Sequence, residues 1–197
     1  RLFVKTHLLL TEKLPFLANT ERAIHILRHP KDVLLSGMNY ARLEGVGAPS
    51  DAAYAREFIA HGGDPAWARM GFGTWAEHAA SWRATDRFPV HSTTYEALKA
   101  DTTAELRAML VFIGETIDEP RLARAVELSA FDRLREIERK EKARGGESLF
   151  RGGRESLARN AMFMNKGASG QTLAHIDPAL DRQFDEMFAA ALERYSA

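Results

Sequence analysis

The residues between Arg22 and Tyr40 carry the first chemistry in this chain: R-A-I-H-I-L-R-H-P-K-D-V-L-L-S-G-M-N-Y. Ala23 to Leu27 is a short apolar run with the look of a buried strand. It stops at the cation Arg28, turns through His29 and Pro30, and gives way to a helical pattern with Val33, Leu34, Gly37, Met38 and Ala41 on one face. A cation at a strand end followed by a new helix N-terminus is how α/β proteins build anion sites, because open amide N–H groups and the helix dipole face the incoming charge. Arg28 would add a two-pronged contact to a phosphate, and Ser36, about two turns into the helix, a hydroxyl. Read from the residues alone, Arg28 serves equally well as the end of a buried strand paired to a carboxylate, and Ser36 as an ordinary helix serine.

Other chemistries find less support. There is no cysteine, which removes disulfides, thiolate metal sites and cysteine nucleophiles together. His25, His29, His61, His91 and His175 show no metal-ligand spacing. No G-x-x-x-x-G-K-[ST] phosphate loop occurs. Lys and Arg number 27 and Asp and Glu number 27, a balance that argues against a nonspecific nucleic-acid binder but not against a local phosphate pocket. No apolar run approaches the length of a membrane-spanning helix, and no signal peptide is visible.

The elements that would position these residues follow from pattern. The 197 residues, 45% hydrophobic and 27% charged, suit one domain with a real core. Strands are expected at Leu2 to Thr6, Ala23 to Leu27 and Pro89 to Thr94. Helices are expected from Lys31 to Leu43; from a Ser50 or Asp51 cap to His61, closed by Gly62-Gly63; from Trp75 to Arg83, behind a Thr74–Glu77 capping box; after a second box at Thr102 and Glu105; from Glu119 to about Ala143; and after Asp177-Pro178. Loops are expected at Gly45 to Ala48, between Gly145-Gly146 and Gly152-Gly153, and at Asn165 to Gly170. The basic residues Arg133 to Arg144, interleaved with Glu136, Glu138 and Glu141, read as a solvated helix face. Strands alternating with helices imply a mostly parallel sheet covered on both faces. Three strands are few for such a sheet. With a strand already expected at residue 2, this leads to the expectation of a single domain, 1–197, lacking its N-terminal part.

Five segments, in order, resemble the sulfotransferases that use 3'-phosphoadenosine 5'-phosphosulfate (PAPS), the small-molecule or cytosolic type. Lys5-Thr6-His7-Leu8 is similar to that family's Lys-Thr-His-Leu strand end. Arg28 to Ser36 is similar to its Arg-x-x-Lys-Asp-x-x-x-Ser motif for the 3'-phosphate. Gly73-Thr74-Trp75-Ala76-Glu77-His78, with Trp82, resembles its Gly-Ser-Trp-x-x-His-x-x-x-Trp helix. Tyr95-Glu96-Ala97-Leu98-Lys99 resembles its Tyr-Glu-Asp-Leu-Lys, and Phe163 to Gly170 its Phe-x-Arg-Lys-Gly-x-x-Gly loop.

The resemblance implies an α/β fold, a P-loop-type three-layer sandwich around a parallel β-sheet, with the first strand and the phosphosulfate loop missing from this chain. It implies transfer of a sulfuryl group from PAPS to a hydroxyl or amine of a small molecule, leaving the bisphosphate PAP, with no metal. By the same resemblance His7 is the general base and Lys5, two residues earlier on the same side of a strand, steadies the transferring group. Arg28 and Ser36 would hold the 3'-phosphate together with Asn165, Lys166 and Gly167. Tyr95, Ser129 and Phe131 would contact the adenine side. Trp75, His78 and Trp82 are read as structure. The family's setting implies a cytoplasmic protein with a small-molecule acceptor, no nucleic-acid or membrane partner, and an unread oligomeric state.

The departures are specific. Asn165 stands where the family has Arg, and Arg151, Arg154 or Arg159 are the nearby cations that would compensate. Gly170-Gln171-Thr172-Leu173 replaces Gly-Asp-Trp-Lys, and the dimerisation motif expected just beyond is not present. Two other readings are a P-loop-related nucleotide kinase, disfavoured because His7, Arg28 and Tyr95 rather than acids stand at the strand tips, and a noncatalytic nucleotide-binding remnant. The acceptor is not legible. Phe16, Phe58, Trp67, Met70 and Phe72 are candidates for an apolar pocket and equally for core.

Overall fold

The structure is a computed structural model that describes residues 1–45, 49–145 and 149–195. Parts of the loops read at Gly45 to Ala48 and after Gly145 therefore lie outside the described residues. Strand β1, Ala23–Leu27, pairs in parallel with β2, Val90–Thr94, in the register Ala23↔Val90 to Leu27↔Thr94. A parallel pair needs a long crossover. Here it contains α1 (Pro30–Glu44), α2 (Asp51–His61), α3 (Pro65–Arg69) and α4 (Trp75–Arg83). After β2 come α5 (Tyr95–Ala100), α6 (Thr102–Phe112), α7 (Glu119–Leu128), α8 (Phe131–Arg144), α9 (Arg154–Ala158) and α10 (Pro178–Tyr195).

Most helix starts are where their capping chemistry places them. Ser50 accepts the Ala53 N–H ahead of α2, and Gly62 closes that helix in the left-handed region at φ 67°. Thr74 and Glu77 form the expected reciprocal box ahead of α4. The box expected at Thr102 and Glu105 does not form. Asp101 caps α6 by accepting the Ala104 N–H, while the Glu105 carboxylate accepts the Thr93 hydroxyl at 2.5 Å. A side chain that can reach a buried strand hydroxyl is drawn there rather than to its own helix end.

Three further expectations are corrected. The strand at Leu2 to Thr6 is not formed. Leu2, Phe3 and Val4 are exposed, and the following residues are tied to α4 and the turn before it, with Leu9 N–H donating to Gly71 O and Trp82 Nε1 to Leu8 O. No described strand offers this segment a ladder, and a strand without one has no reason to persist. The helix read from Glu119 to Ala143 is two helices, because Ala130 is extended at φ −54°, ψ 136°. The third concerns the cover on the sheet. α4 lies on the face carrying His25 and Leu27 and α6 lies over β2, but Ile24 and Ile26 are 37% and 51% exposed.

The main core gathers Leu27, Leu34 and Met38 against Phe58, Ile59 and Trp75, and is closed by Leu180, Phe184 and Phe188 of α10. Phe184 and Phe188 stack at 4.3 Å. Gly37 is required by this packing. A Cβ there would meet the Tyr54 hydroxyl at 2.1 Å, so only glycine lets α2 lie this close to α1. Tyr54 is fixed in turn by a 2.6 Å hydrogen bond to Asp64.

Candidate functional site

At the C-terminal end of the parallel pair the chain forms a cleft of about 310 Å³. Ligands bind at this end of open α/β sheets because the loops there diverge. Arg28, Ser36, Tyr95, Phe131, Asn165, Lys166 and Gly167 all line it. They come from the tip of β1, the flank of α1, the start of α5, the start of α8 and the loop before α10, and only the fold brings them together.

Arg28 leaves the end of β1 and lays its guanidinium over the Tyr95 ring, 4.3 Å from the centroid. This cation–π contact fixes a long side chain that would otherwise lose several rotamers on binding. Its Nη2 donates to Ala168 O at 2.8 Å, and the Trp75 indole anchors the Arg28 carbonyl at 2.9 Å. Arg28 Nε is buried without a partner. A buried guanidinium donor left unpaired is costly, and an anion in the cleft would satisfy it. Among the described residues Arg28 pairs with no carboxylate.

The open helix N-terminus expected after Arg28 is largely spent internally. Pro30 has no N–H, and the Lys31 N–H donates to His29 Nδ1 at 3.2 Å. Lys31 and Asp32 instead act as fasteners. Lys31 bridges Asp181 at 2.8 Å and Asp185 at 2.6 Å on α10. Burial alone would lower the Lys31 ammonium, but its hydrogen bonds to Asp181 and Asp185 outweigh this and raise it. Burial would likewise raise the Asp181 carboxyl, yet the bonds from Lys31, Thr172 and the Leu173 N–H bring it down to about 2. Asp32 is fully buried and accepts the Gly170 N–H at 2.9 Å, the Gln171 N–H at 3.2 Å and the Gln171 side-chain amide at 3.0 Å. Gln171, a departure by sequence, is thus part of the loop's attachment.

That loop, residues 161–171, has little regular structure and is held by side chains along its length. Asn39 donates to Met162 O at 2.8 Å, Arg135 to Asn165 O, Lys99 to Gly167 O and Arg28 to Ala168 O. Glu138 accepts the N–H groups of both Phe163, at 2.6 Å, and Met164, at 2.7 Å. Gly167 sits at φ 57°, and a Cβ there would strike the Phe131 ring at 2.7 Å, so the glycine lets the backbone lie flat on that ring. Sequence reasoning missed Asp32, Arg135 and Glu138. The signal for the last two was spacing: Phe131, Arg135, Glu138 and Lys142 fall on one helical face. Glu138 and Lys142 are buried, which corrects their reading as part of a solvated face.

Asn165 reaches the cleft without a charge. Of the cations expected to compensate, Arg154 donates to Ala143 O and Arg144 O at the end of α8, Arg159 lies beside Gly45 and Glu155, and Arg151 lies 5.6 Å over the ring of Tyr40, a cleft residue. Arg135, bonded at Asn165 itself, is nearer to the position than its sequence neighbours.

The remaining sequence candidates stand apart from this cleft. Ser129 ends α7, exposed, with its hydroxyl donating to Val126 O at 3.2 Å. Lys5 and His7 lie in the exposed N-terminal segment. His7 is open to solvent on one side while its ring lies 5.6 Å from Phe72, and this partial desolvation, followed by the Lys5 charge, holds its pKa below the ordinary histidine value. His78 is lowered by burial and by His7, while His25 is pushed down to about 4, chiefly by burial. Among the described residues no group of histidines and carboxylates could hold a metal ion. Of the aromatic candidates Phe58 is core, Phe16 and Met70 are exposed, Phe72 meets His7, and Trp67 packs against Gly37 and Tyr40.

A family model described as the sulfotransferase domain matches residues 1–196. This chain belongs to the sulfotransferase family. Human sulfotransferase 1C2 is 26% identical over 194 residues, covering 96% of this chain and 61% of that protein. Mouse sulfotransferase 2A2 is 27% identical over 177 residues, covering 88% of this chain and 57% of that protein. The chain therefore spans about three fifths of the length of these sulfotransferases. Mouse sulfotransferase SULT7A1, solved in complex with PAP, superposes with a TM-score of 0.69 at 22% identity, over 95% of this chain and 64% of its own. Retinol dehydratase, solved with androsterone and the inactive cofactor PAP, superposes at 0.64 and 18% identity, over 93% and 50%. The α/β fold with a parallel sheet is thus the sulfotransferase fold. No described helix is long and apolar enough to cross a membrane.

Proposed function

We infer that this protein transfers a sulfuryl group from PAPS to a hydroxyl or amine of a small molecule. The observation that carries this reading is Arg28: a part-buried guanidinium stacked on Tyr95, its Nε shielded from solvent and unpaired, in a cleft shared with Ser36, Lys166 and Gly167. An orphaned buried donor beside a glycine-bearing loop fits a phosphate, and Tyr95 and Phe131 offer rings to a base. PAPS when bound supplies an activated sulfuryl group on a phosphate leaving group.

The chain's own residues then do four things. Arg28, Ser36, Lys166 and the Gly167 backbone hold the 3'-phosphate, which fixes the nucleotide's register. Tyr95 and Phe131 flank the adenine side. His7 takes the proton from the acceptor. Its depressed pKa keeps the imidazole neutral, and so able to accept a proton, across neutral pH. Lys5 supplies a positive charge near His7 that offsets charge developing on the transferred group. The setting we propose is the cytoplasm, to be tested by cell fractionation.

Titration calorimetry of the intact protein with adenosine 3',5'-bisphosphate tests the reading. Saturable heat and a raised melting midpoint are expected. Neither heat nor thermal shift would overturn it.

A further inference from the structure

Glu138 and Lys142 are fully buried, one turn apart on α8, with Lys142 Nζ 2.5 Å from Glu138 Oε1. A buried ion pair is a poor way to stabilise a fold, since desolvation offsets most of the attraction. This one is turned toward the loop at 161–171. Each Glu138 oxygen accepts one of two consecutive backbone N–H groups, those of Phe163 and Met164, and Lys142 also reaches Ala161 O at 3.4 Å. The same helical face brings Arg135 to Asn165 O and the Phe131 ring to Gly167. The loop thus runs from 161 to 167 along α8 from 142 back to 131, one side chain per step. Two successive N–H groups aimed at one carboxylate fix the backbone just before the cleft residues Asn165, Lys166 and Gly167. A hydrocarbon pair of equal volume would leave both part-buried N–H groups without their acceptor.

We propose that the Glu138–Lys142 pair is a positioning device for the donor's 3'-phosphate: it holds the Asn165–Gly167 backbone in its binding shape before the ligand arrives. The inference rests on the donor-binding reading above. Its consequence is selective. Ordering a loop in advance removes an entropic cost only from ligands that use the loop, so the pair favours nucleotides with a 3'-phosphate over those without one. Glu138 touches no ligand and takes no proton. It acts through the three residues that follow its two hydrogen bonds.

The test compares adenosine 3',5'-bisphosphate with adenosine 5'-phosphate on the intact protein, its Glu138→Gln variant and a Glu138→Leu/Lys142→Met double variant that leaves no lone buried charge. Glu138→Gln preserves shape but turns one acceptor into a donor facing an N–H. We expect at least tenfold weaker binding of the bisphosphate, less than threefold change for the 5'-phosphate, and at least tenfold faster hydrogen exchange at the Phe163 and Met164 amides. The double variant should keep a cooperative melt and show the same selective loss. Bisphosphate affinity within twofold of the parent in a folded variant would overturn the proposal, as would equal weakening of both nucleotides, which marks general structural damage. A parent protein that binds neither nucleotide would overturn the donor reading and this one with it.

Discussion

The two halves of the proposed site are held in opposite ways. On the nucleotide side, an irregular loop is fastened by Asn39, Arg135, Glu138, Lys99, Arg28 and Asp32, side chains drawn from the β1 tip, α1, α5 and α8. On the proposed acceptor side, Lys5 and His7 ride on an exposed segment with no ladder among the described residues, tied to the rest through Arg1 to Ile113 O and Glu115, His7 to Phe72, Leu8 and Leu9 to Trp82 and Gly71, and Leu10 to Ser81. The difference is in the fastening: the loop's backbone is bonded by side chains of four other elements, whereas the N-terminal segment is anchored at Arg1 and at residues 8–10.

The largest effect expected along this divide is at its looser end. His7→Ala should lower kcat by roughly 10²–10⁴-fold, the usual worth of a general base, and leave the calorimetric affinity for adenosine 3',5'-bisphosphate unchanged. Full turnover in that variant would remove His7 from the mechanism and leave only the nucleotide half standing.

A second measurement probes the histidines beneath it. His25 is buried with both ring nitrogens unpaired, and burial, with smaller contributions from His78 and Arg83, pushes it down to about 4. The folded protein therefore binds fewer protons than the unfolded chain between pH 6.5 and about 4. The stability His25 confers above pH 6.5 is lost as pH falls through that window, by an amount on the order of 3 kcal/mol. Melting midpoints should fall from pH 7 to 4, and His25→Phe should flatten the fall. Asp181, held near 2, adds its own loss only below about pH 4.

On the fastened side, Arg28→Ala removes a charge-assisted contact of about 1.5–3 kcal/mol, so bisphosphate affinity should drop about 10- to 100-fold. Unchanged affinity would mean that the cleft does not hold the phosphate. Asp32→Ala strips the acceptor from the Gly170 and Gln171 N–H groups and should cost about 1–3 kcal/mol in denaturant unfolding, with weaker nucleotide binding as well. The smallest effect separates the two faces of α8. Glu136 and Arg139 pair at 2.8 Å in solvent, and Arg139→Ala should change neither melting midpoint nor affinity measurably. A clear loss there would erase the contrast with Glu138 and Lys142.

Local chemistry made much of the fold legible. The Thr74–Glu77 box, the Ser50 cap with Gly62, the apolar run of β1 and the β-branched run of β2 are decided within a few residues, and they stand where the sequence puts them. Arg28, Tyr95, Phe131, Lys166 and Gly167 could be named because their motifs are short and ordered, and all of them line one cleft. Leu2 to Thr6 has strand composition, but a strand exists only against a partner, and no composition supplies one. Ala130 breaks a helix with neither glycine nor proline to announce it. Glu138 reads as a surface carboxylate and Asp32 only as one letter of a motif, and both are fasteners because distant backbone N–H groups, in the one case 138 residues away, arrive beside them. Which groups are available, and where most helices begin, is written in short windows of residues. Which charges end up buried against the loop is settled by packing, because burial and hydrogen-bond partners are properties of the packed chain and not of any window along it.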